Sequence, residues 1–310
     1  MDGRIEVNIM NIKQKLFKNY DKNFLKNVNL SNYSWFNLGG PAELLFKPND
    51  KSQLIEFLKE NKKNNLKITI LGAGSNTLIR DKGIKGVVIK LSSKFSRINL
   101  INKDTIEVGA AALDRKVSNF AKNNNIKNLE FLSCIPGSIG GAVIMNSGCY
   151  GYDISKVLIS IKVIDFTNCE EREIKRDDIK FLYRGTNLPN NIIITSVKLK
   201  GETGLKHEIE NKQNELIERK KLSQPSQIKT CGSTFKNYST EKKAWELIKE
   251  TGCDKFKEGD ALISKKHCNF FVNNGKATST DIEKLINKVR QAVVDKTGVN
   301  LELEIKIVGE

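Results

Sequence analysis

No apolar run in this 310-residue chain reaches the roughly 18 residues that a membrane-spanning helix needs. The first twenty residues, MDGRIEVNIMNIKQKLFKNY, lack the continuous apolar core of a signal peptide. These absences predict a cytoplasmic protein with no membrane insertion. Metal-ligating patterns are missing as well. There are two histidines, His207 and His267, and no C-x-x-C pair among Cys134, Cys149, Cys169, Cys231, Cys253 and Cys268. No metal site is expected, and the six thiols are expected to be reduced and mostly packed. No internal repeat or low-complexity segment interrupts the chain.

What is present is positive charge. Fifty-two Lys and Arg against 36 Asp and Glu give a formal net charge of +16. Such a charge suits either a nucleic-acid binder or an enzyme for anionic small molecules. The lysines are scattered along the whole chain, and no RNP signature, zinc-finger spacing or basic heptad accompanies them. An enzyme is therefore expected, with no nucleic-acid partner. At 39% hydrophobic residues the chain can build packed cores.

Periodicity divides the chain. Residues 51–64 suit a helix with Leu54, Ile55 and Leu58 on one side. LKITIL, GVVIKL (86–91), TIEVGA (105–110), VLISIKVIDF (157–166) and NIIITSVKLK (191–200) read as strands, with a helical pattern near 112–124. Beyond residue 202 the pattern turns helical, which sets a domain boundary there. Thr280 with Glu283 three residues on forms a capping box, followed by Ile282, Leu285, Ile286, Val289 and Val293 on one helical face. LELEIKI (301–307) alternates. It sets Leu301, Leu303, Ile305 and Ile307 on one face of a strand, and Glu302, Glu304 and Lys306 on the other.

Two glycine-rich segments stand out. ILGAGSNTLIRDKG (70–83) begins like a dinucleotide-binding loop. A G-x-G-x-x-G loop would put its third glycine at position 77, which is Thr77, and LIRDKG is too short for the crossover helix. The Rossmann assignment fails. Gly72 and Gly74 still permit positive φ and close backbone approach, successive N–H groups can form an anion nest, and Ser75 and Asn76 add side-chain donors. Alone, such a turn between strands is more often only a turn. CIPGSIGGAVIMNSGCYG (134–151) is the second segment, with Pro136 rigidifying its entry. A tightly packed turn and close approach by a ligand both explain it. Two such loops in the strand-rich half favour one extended ligand lying between them.

Ordered motifs then carry a resemblance. NYSWFNLGGPAELLFKP, LGAGSNTLIRDKG, IPGSIGGAVIMNSGCYG, YRGTN, GSTFKN, AWELIKETG, ISKKHCNFFVN and LELEIKIVG follow one another from about Asn32 to Gly309. Together they resemble the UDP-N-acetylenolpyruvoylglucosamine reductase family. The resemblance implies an α+β chain. Its FAD-binding fold would be of the vanillyl-alcohol-oxidase (PCMH) type, in two lobes over residues 31–202. A C-terminal α+β substrate-binding domain would cover 203–310, and residues 1–30 would be an N-terminal extension. Gly72, Ala73, Gly74, Ser75 and Asn76 would cover the FAD pyrophosphate. Pro136, Gly137, Ser138, Gly140, Gly141 and Ala142 would form the second glycine loop along the cofactor. The short link after Tyr183 resembles the branch of the family without an extra tyrosine-bearing substrate loop.

The implied activity is NADPH-dependent reduction of the enolpyruvyl ether of UDP-N-acetylglucosamine-enolpyruvate to UDP-N-acetylmuramate, for bacterial peptidoglycan. FAD would be the cofactor, NADPH the co-substrate and the UDP-sugar enol ether the partner; a monomer is expected. By the family's motifs Arg184 would hold the substrate carboxylate, Ser233 would donate the proton to carbon, and Glu304 would join Arg184 in stabilising the intermediate, as a neutral acid. Tyr183, Lys221, Lys236 and Asn237 would bind substrate, the last three at its diphosphate or uridine end. The chain departs from the pattern at Cys149, Thr186 and Tyr238, where alanine, serine and proline are usual. His267 is expected to pack or hydrogen-bond. Another FAD-dependent oxidoreductase of the same fold, acting on a small alcohol or sugar, is the alternative. Covalent flavin through an early histidine is disfavoured, because no histidine precedes residue 200.

Overall fold

The computed structural model describes residues 21–310, so residues 1–20 of the expected extension lie outside the described residues. The described chain divides into two compact units. One runs from the first described residues to Lys26 and takes Leu44–Ala73 and Gly86–Arg219. The other takes Asn27–Glu43, Gly74–Lys85 and Lys220–Glu310.

The first unit holds an antiparallel five-stranded sheet in the order Glu171–Lys175, Leu158–Asp165, Ile192–Lys200, Thr105–Gly109, Ile98–Asn102. Alternation sends Ile161 and Val163, Val197 and Leu199, and Ile106 and Val108 to the interior, where all six are fully buried. Val117 and Ala121 of helix Asp114–Asn123 pack on them, with Ile139 and Val143 of the short helix Ile139–Ile144. Each such aliphatic side chain stabilises the unit by about 1.5–3 kcal/mol when fully buried. The second glycine loop leads directly into that short helix, so this core fixes it in place.

A smaller core forms around helix Lys51–Asn64. Asp50 caps its start by accepting from the Gln53 N–H at 2.9 Å, and Asn65, at φ 50°, ends it. Leu54, Phe57 and Leu58 are buried against Val87 and Ile89, and Phe24 stacks on Phe46 with ring centroids 4.2 Å apart. Ile68–Ile70 runs parallel to residues 87–89. The chain then leaves through the first glycine loop and enters a strand, Thr77–Ile79, not a helix. That connection rules out the Rossmann loop on structural grounds too.

In the second unit, helix Ser279–Thr297 buries the expected face: Ile282, Leu285, Ile286, Val289 and Val293. Leu247 and Ile248 of helix Ala244–Glu250, together with Phe36, Phe235 and Phe271, complete this core. A three-stranded antiparallel sheet, Lys257–Glu258, Ala261–Ile263 and Phe271–Asn273, belongs to the same unit. The expected strand 301–307 is shorter than its pattern: regular pairing covers Lys306–Val308, parallel to Thr77–Ile79. Upstream, Leu301 and Ile305 remain buried, and Leu303 makes one isolated bridge to Phe235.

The long helix is also capped one turn differently from expectation. Thr278 is the N-cap and Asp281 closes the capping box. Thr280 and Glu283 are drawn instead to the strand segment that follows the first glycine loop. Asp81 accepts from the Ser279 and Thr280 N–H groups at 2.8 Å each and from the Thr280 hydroxyl at 2.6 Å. Arg80 forms a fork with both Glu283 oxygens, at 2.9 and 3.0 Å. Burial alone would raise the Asp81 pKa, but the hydrogen bonds from Thr280 and Ser279 outweigh it and hold the carboxyl below its ordinary value.

A carboxyl with a depressed folded pKa contributes stability above the unfolded pKa of about 3.9 and loses it as pH falls through the lower folded value. Asp81→Ala is expected to destabilise the protein at neutral pH by about 1 kcal/mol, the usual upper range for a carboxylate set against a helix N-terminus. The gap to the unsubstituted protein narrows below about pH 4, where Asp81 itself becomes protonated. Urea unfolding at pH 7 and pH 3.5 checks this; a gap independent of pH counts against it.

Candidate active site

The two glycine loops meet within the first unit. A Cβ placed on Gly72 would lie 3.0 Å from the Ser138 hydroxyl, and one on Gly141 would lie 3.6 Å from it. Gly140 packs on Ala110 just as closely. The second loop is pinned by its own backbone: Ile139 and Gly140 donate to the carbonyls of Ala112 and Ala110, while Asp114 donates to that of Gly137. Among the described residues no acceptor faces the N–H groups of Gly72 and Ala73, nor those of Gly137, Ser138 and Gly141. Gly72 and Gly141 are exposed, Ala73 and Gly137 half-buried and Ser138 buried, so most of these donors are open to an acceptor that arrives from outside. Small residues and outward peptide N–H groups are the donor set that a pyrophosphate takes. The residues present therefore fit the diphosphate of a dinucleotide such as FAD.

Gly74, Ser75 and Asn76 belong to the second unit, and their N–H groups also have no acceptor among the described residues. Gly74 has φ 71°, whereas Gly72 does not lie in the left-handed region. The sequence reading gave Gly74 to ligand approach; the immediate constraint is the protein itself. A Cβ there would run into the carbonyl oxygen of Tyr33, and the Gly74 carbonyl accepts from the Trp35 N–H at 3.0 Å.

Arg184 sits at the tip of a hairpin, Phe181–Leu182 with Gly185–Thr186, at φ 57°. That conformation is uncommon outside glycine and costs of order 1–3 kcal/mol. Its guanidinium donates to the Gly148 carbonyl at 3.0 Å and lies 5.0 Å from the Tyr183 ring centroid. Gly148 begins a second hairpin, with Cys149 pairing Tyr152 across a Tyr150–Gly151 turn where both residues have positive φ, 52° and 87°. The Tyr150 ring carries the Arg219 guanidinium 4.5 Å from its centroid. Two strained tips thus share one strand end. Tyr150 and Arg219 were not singled out from sequence; the readable signal was a Tyr-Gly pair in a turn that favours Asn-Gly.

Ser233 and Glu304 are brought together in the second unit by main-chain bonds. Ser233 bridges Phe270, and the next residue, Thr234, donates to Asn269 O at 2.7 Å and accepts from the Glu304 N–H at 2.9 Å. Asn76 joins them: its side-chain amide donates to the Glu304 carbonyl at 3.0 Å, and its own carbonyl accepts from Lys306. Glu304 is half-buried.

The substrate-binding candidates have other duties as well. The Lys236 ammonium lies 3.2 Å from a Glu302 oxygen. Asn237 Oδ1 accepts from the Ala244 N–H at 3.2 Å and so starts helix Ala244–Glu250. The Lys221 carbonyl accepts from the Lys266 ammonium. Tyr238, the departure from proline, is exposed.

The six cysteines form no disulfide. Cys231 is buried, with carbonyl acceptors at 3.4 Å (Thr77) and 3.6 Å (Gly74), and burial pushes its thiol up to about 11. It is no nucleophile at neutral pH. Cys149 is half-buried and donates to Phe131 O at 3.5 Å. His267 packs edge-on to Trp245 and Phe270, accepts from Asn269 N at Nδ1, and has its pKa lowered by burial.

An FAD-binding domain family matches residues 42–174, and the C-terminal domain of UDP-N-acetylenolpyruvoylglucosamine reductase matches residues 224–308. A protein of Pelagibacter ubique named UDP-N-acetylenolpyruvoylglucosamine reductase is 47% identical over 90% of this chain and 92% of its own length. One of the same name from Rickettsia akari is 43% identical, covering 93% and 96%. The crystal structure of UDP-N-acetylenolpyruvylglucosamine reductase from Thermus caldophilus superposes with a TM-score of 0.79 at 30% identity, covering 92% of this chain and 98% of that one.

The two glycines of the first loop should respond differently to a methyl group. Gly74→Ala is expected to cost about 2 kcal/mol or more, combining positive φ with a backbone collision. Gly72→Ala meets only a rotatable hydroxyl and should change stability by no more than about 0.5 kcal/mol. Urea midpoints of the two variants check this; equal losses would refute the assignment of Gly74 to backbone packing.

Proposed function

The chain belongs to the UDP-N-acetylenolpyruvoylglucosamine reductase family, FAD-binding enzymes that reduce the enolpyruvyl ether of UDP-N-acetylglucosamine-enolpyruvate in peptidoglycan precursor synthesis, and we propose that Arg184, Ser233 and Glu304 carry that reduction here with NADPH as hydride source. FAD, when bound, supplies two-electron chemistry, taking hydride from a nicotinamide and giving it to an electron-poor alkene. Gly72, Ala73, Gly74, Ser75 and Asn76, with Pro136, Gly137, Ser138, Gly140, Gly141 and Ala142, would hold it, and of these the N–H groups of Gly72, Ala73, Gly137, Ser138 and Gly141 have no acceptor among the described residues.

The enol ether carries a carboxylate in conjugation with its double bond. Hydride arriving at the terminal carbon drives negative charge onto that carboxylate as an enediolate. Charge that develops only during the reaction is where binding lowers the barrier. Arg184 meets it with a planar fork suited to two carboxylate oxygens. Its strained backbone and its Gly148 bond fix the guanidinium before substrate arrives. Glu304, as a neutral acid, shares the stabilisation. Ser233 gives its hydroxyl proton to the adjacent carbon, a transfer feasible because the acceptor is a charged carbanion equivalent. Lys221 and Lys236 engage the diphosphate, Tyr183 lines the substrate beside Arg184, and Asn237 holds the turn that carries Lys236.

The observation that supports this reading most is the 2.9 Å bond between Glu304 N and Thr234 O, which ties the general acid's neighbour to the stabilising glutamate. Six cysteines that form no disulfide support a reducing compartment, so the reaction is assigned to the cytoplasm. Among the described residues no helix is long and apolar enough to cross a membrane.

Ser233→Ala is expected to accept hydride from NADPH at a normal rate, seen as bleaching of the flavin absorbance. Substrate-dependent turnover should fall at least about 100-fold, the lower range for a lost general acid. Arg184→Lys keeps the charge but loses the fork, and should lose turnover to a similar degree. Undiminished substrate-dependent NADPH loss in either variant would remove that residue from its role.

A further inference from the structure

Lys90 stands at the end of strand Ile84–Ile89, beside the first glycine loop. Its ammonium donates to the carbonyl of Gly72. Both partners are anchored nearby: Lys90 N donates to Phe46 O at 2.9 Å, and Leu71 N donates to Ile89 O at 2.9 Å. Lys90 is half-buried, and burial, then the like charge of Lys47, lower its pKa.

The contact matters because of what a peptide unit is. It is planar and trans, so its C=O and its N–H point in opposite directions. An ammonium that holds the Gly72 carbonyl therefore turns the Ala73 N–H to the opposite side. That N–H has no acceptor among the described residues. Gly72 itself does little to choose this orientation. Without a Cβ it rotates freely, and a flip of the 72–73 peptide is cheap. Flipped, the loop would present a carbonyl oxygen where it otherwise presents a donor, and an anion would be repelled.

We infer that Lys90 is a positioning residue for the cofactor: it locks the Gly72–Ala73 peptide so that the Ala73 N–H faces the FAD pyrophosphate. This rests on FAD as the ligand. Lys90 acts through the peptide and need not touch the cofactor. A charged donor suits the task, since charge-assisted hydrogen bonds are roughly twice as strong as neutral ones.

The test is FAD affinity of the full-length apoprotein, followed by flavin fluorescence, with the apoprotein melting temperature measured beside it. Lys90→Gln should weaken FAD binding about tenfold, equivalent to roughly 1.4 kcal/mol, and leave the melting temperature of the apoprotein unchanged. Lys90→Arg, which keeps a charged donor, should recover most of the affinity. Equal FAD affinity in Lys90→Gln and the unsubstituted protein overturns the inference. So does a loss that Lys90→Arg fails to relieve, or one matched by a fall in apoprotein melting temperature, since either assigns Lys90 to packing alone. If the unsubstituted protein takes up no FAD, it is the FAD reading that fails, and the inference falls with it.

Discussion

A peptide N–H withdrawn from water without an acceptor costs about 1–3 kcal/mol, so folded chains pair nearly all of them. Glycine loops in which several donors in succession go unanswered are arranged for something that arrives later. The first unit organises itself around keeping such donors available. Its five-stranded sheet and two helices hold the loop 136–142 by three main-chain bonds, two donated by Ile139 and Gly140 and one accepted by Gly137, which leave the N–H groups of Gly137, Ser138 and Gly141 unused. The smaller core around Phe24, Phe46 and Phe57 fixes the strands whose ends carry Gly72 and Lys90. Packing stabilises the loops; the loops define what the packing is for.

The second unit solves a different problem by the same means. Its reactive candidates, Ser233 and Glu304, sit on short, irregular stretches where a long regular strand would be too uniform. Thr234 satisfies Glu304, Asn269 satisfies Thr234 and Phe235, and Asn76 satisfies both Glu304 and Lys306. These are backbone-directed bonds, so the frame is largely indifferent to which side chains project from it. Catalytic groups can then be chosen for chemistry alone. Asp81 and Arg80 secure the long helix to the strand that follows the first glycine loop, which makes that loop's far end part of the same frame.

Elements whose signal is local could be read from sequence. Helix Lys51–Asn64 and the buried face of Ser279–Thr297 follow from hydrophobic period, and Thr77 in place of a third glycine excluded a Rossmann loop. The FAD-binding fold, the activity and the cofactor followed from ordered motifs that comparison with relatives bears out. Elements that depend on distant partners could not be read so well. Thr280 looked like a cap because Glu283 follows it, yet Asp81, 199 residues earlier, takes its N–H and leaves capping to Thr278. LELEIKI alternates in sequence but pairs regularly only from Lys306, because the segment before it is held by single bonds to Thr234, Lys236 and Asn76. Gly74 was recognisable as special, but the obstacle that makes it so is the Tyr33 carbonyl, invisible in any window around residue 74. Lys90 carries no motif at all; only its reach to Gly72 distinguishes it from the other lysines.

Strain and charge divide the remaining work. Tyr150 and Arg184 hold left-handed conformations at hairpin tips that glycine or asparagine would adopt at less cost. Residues kept in such conformations persist where the surroundings over-determine them, and Arg184 is over-determined by a carbonyl on one side and a tyrosine ring on the other. A guanidinium so confined has little conformational freedom left to lose on pairing with an anion. The net charge of +16 acts at longer range. It attracts anionic sugar nucleotides and nicotinamide dinucleotides alike and cannot tell them apart. Discrimination must then come from short-range geometry, such as the unused peptide donors of the glycine loops and, in the role proposed for it, the confined guanidinium of Arg184.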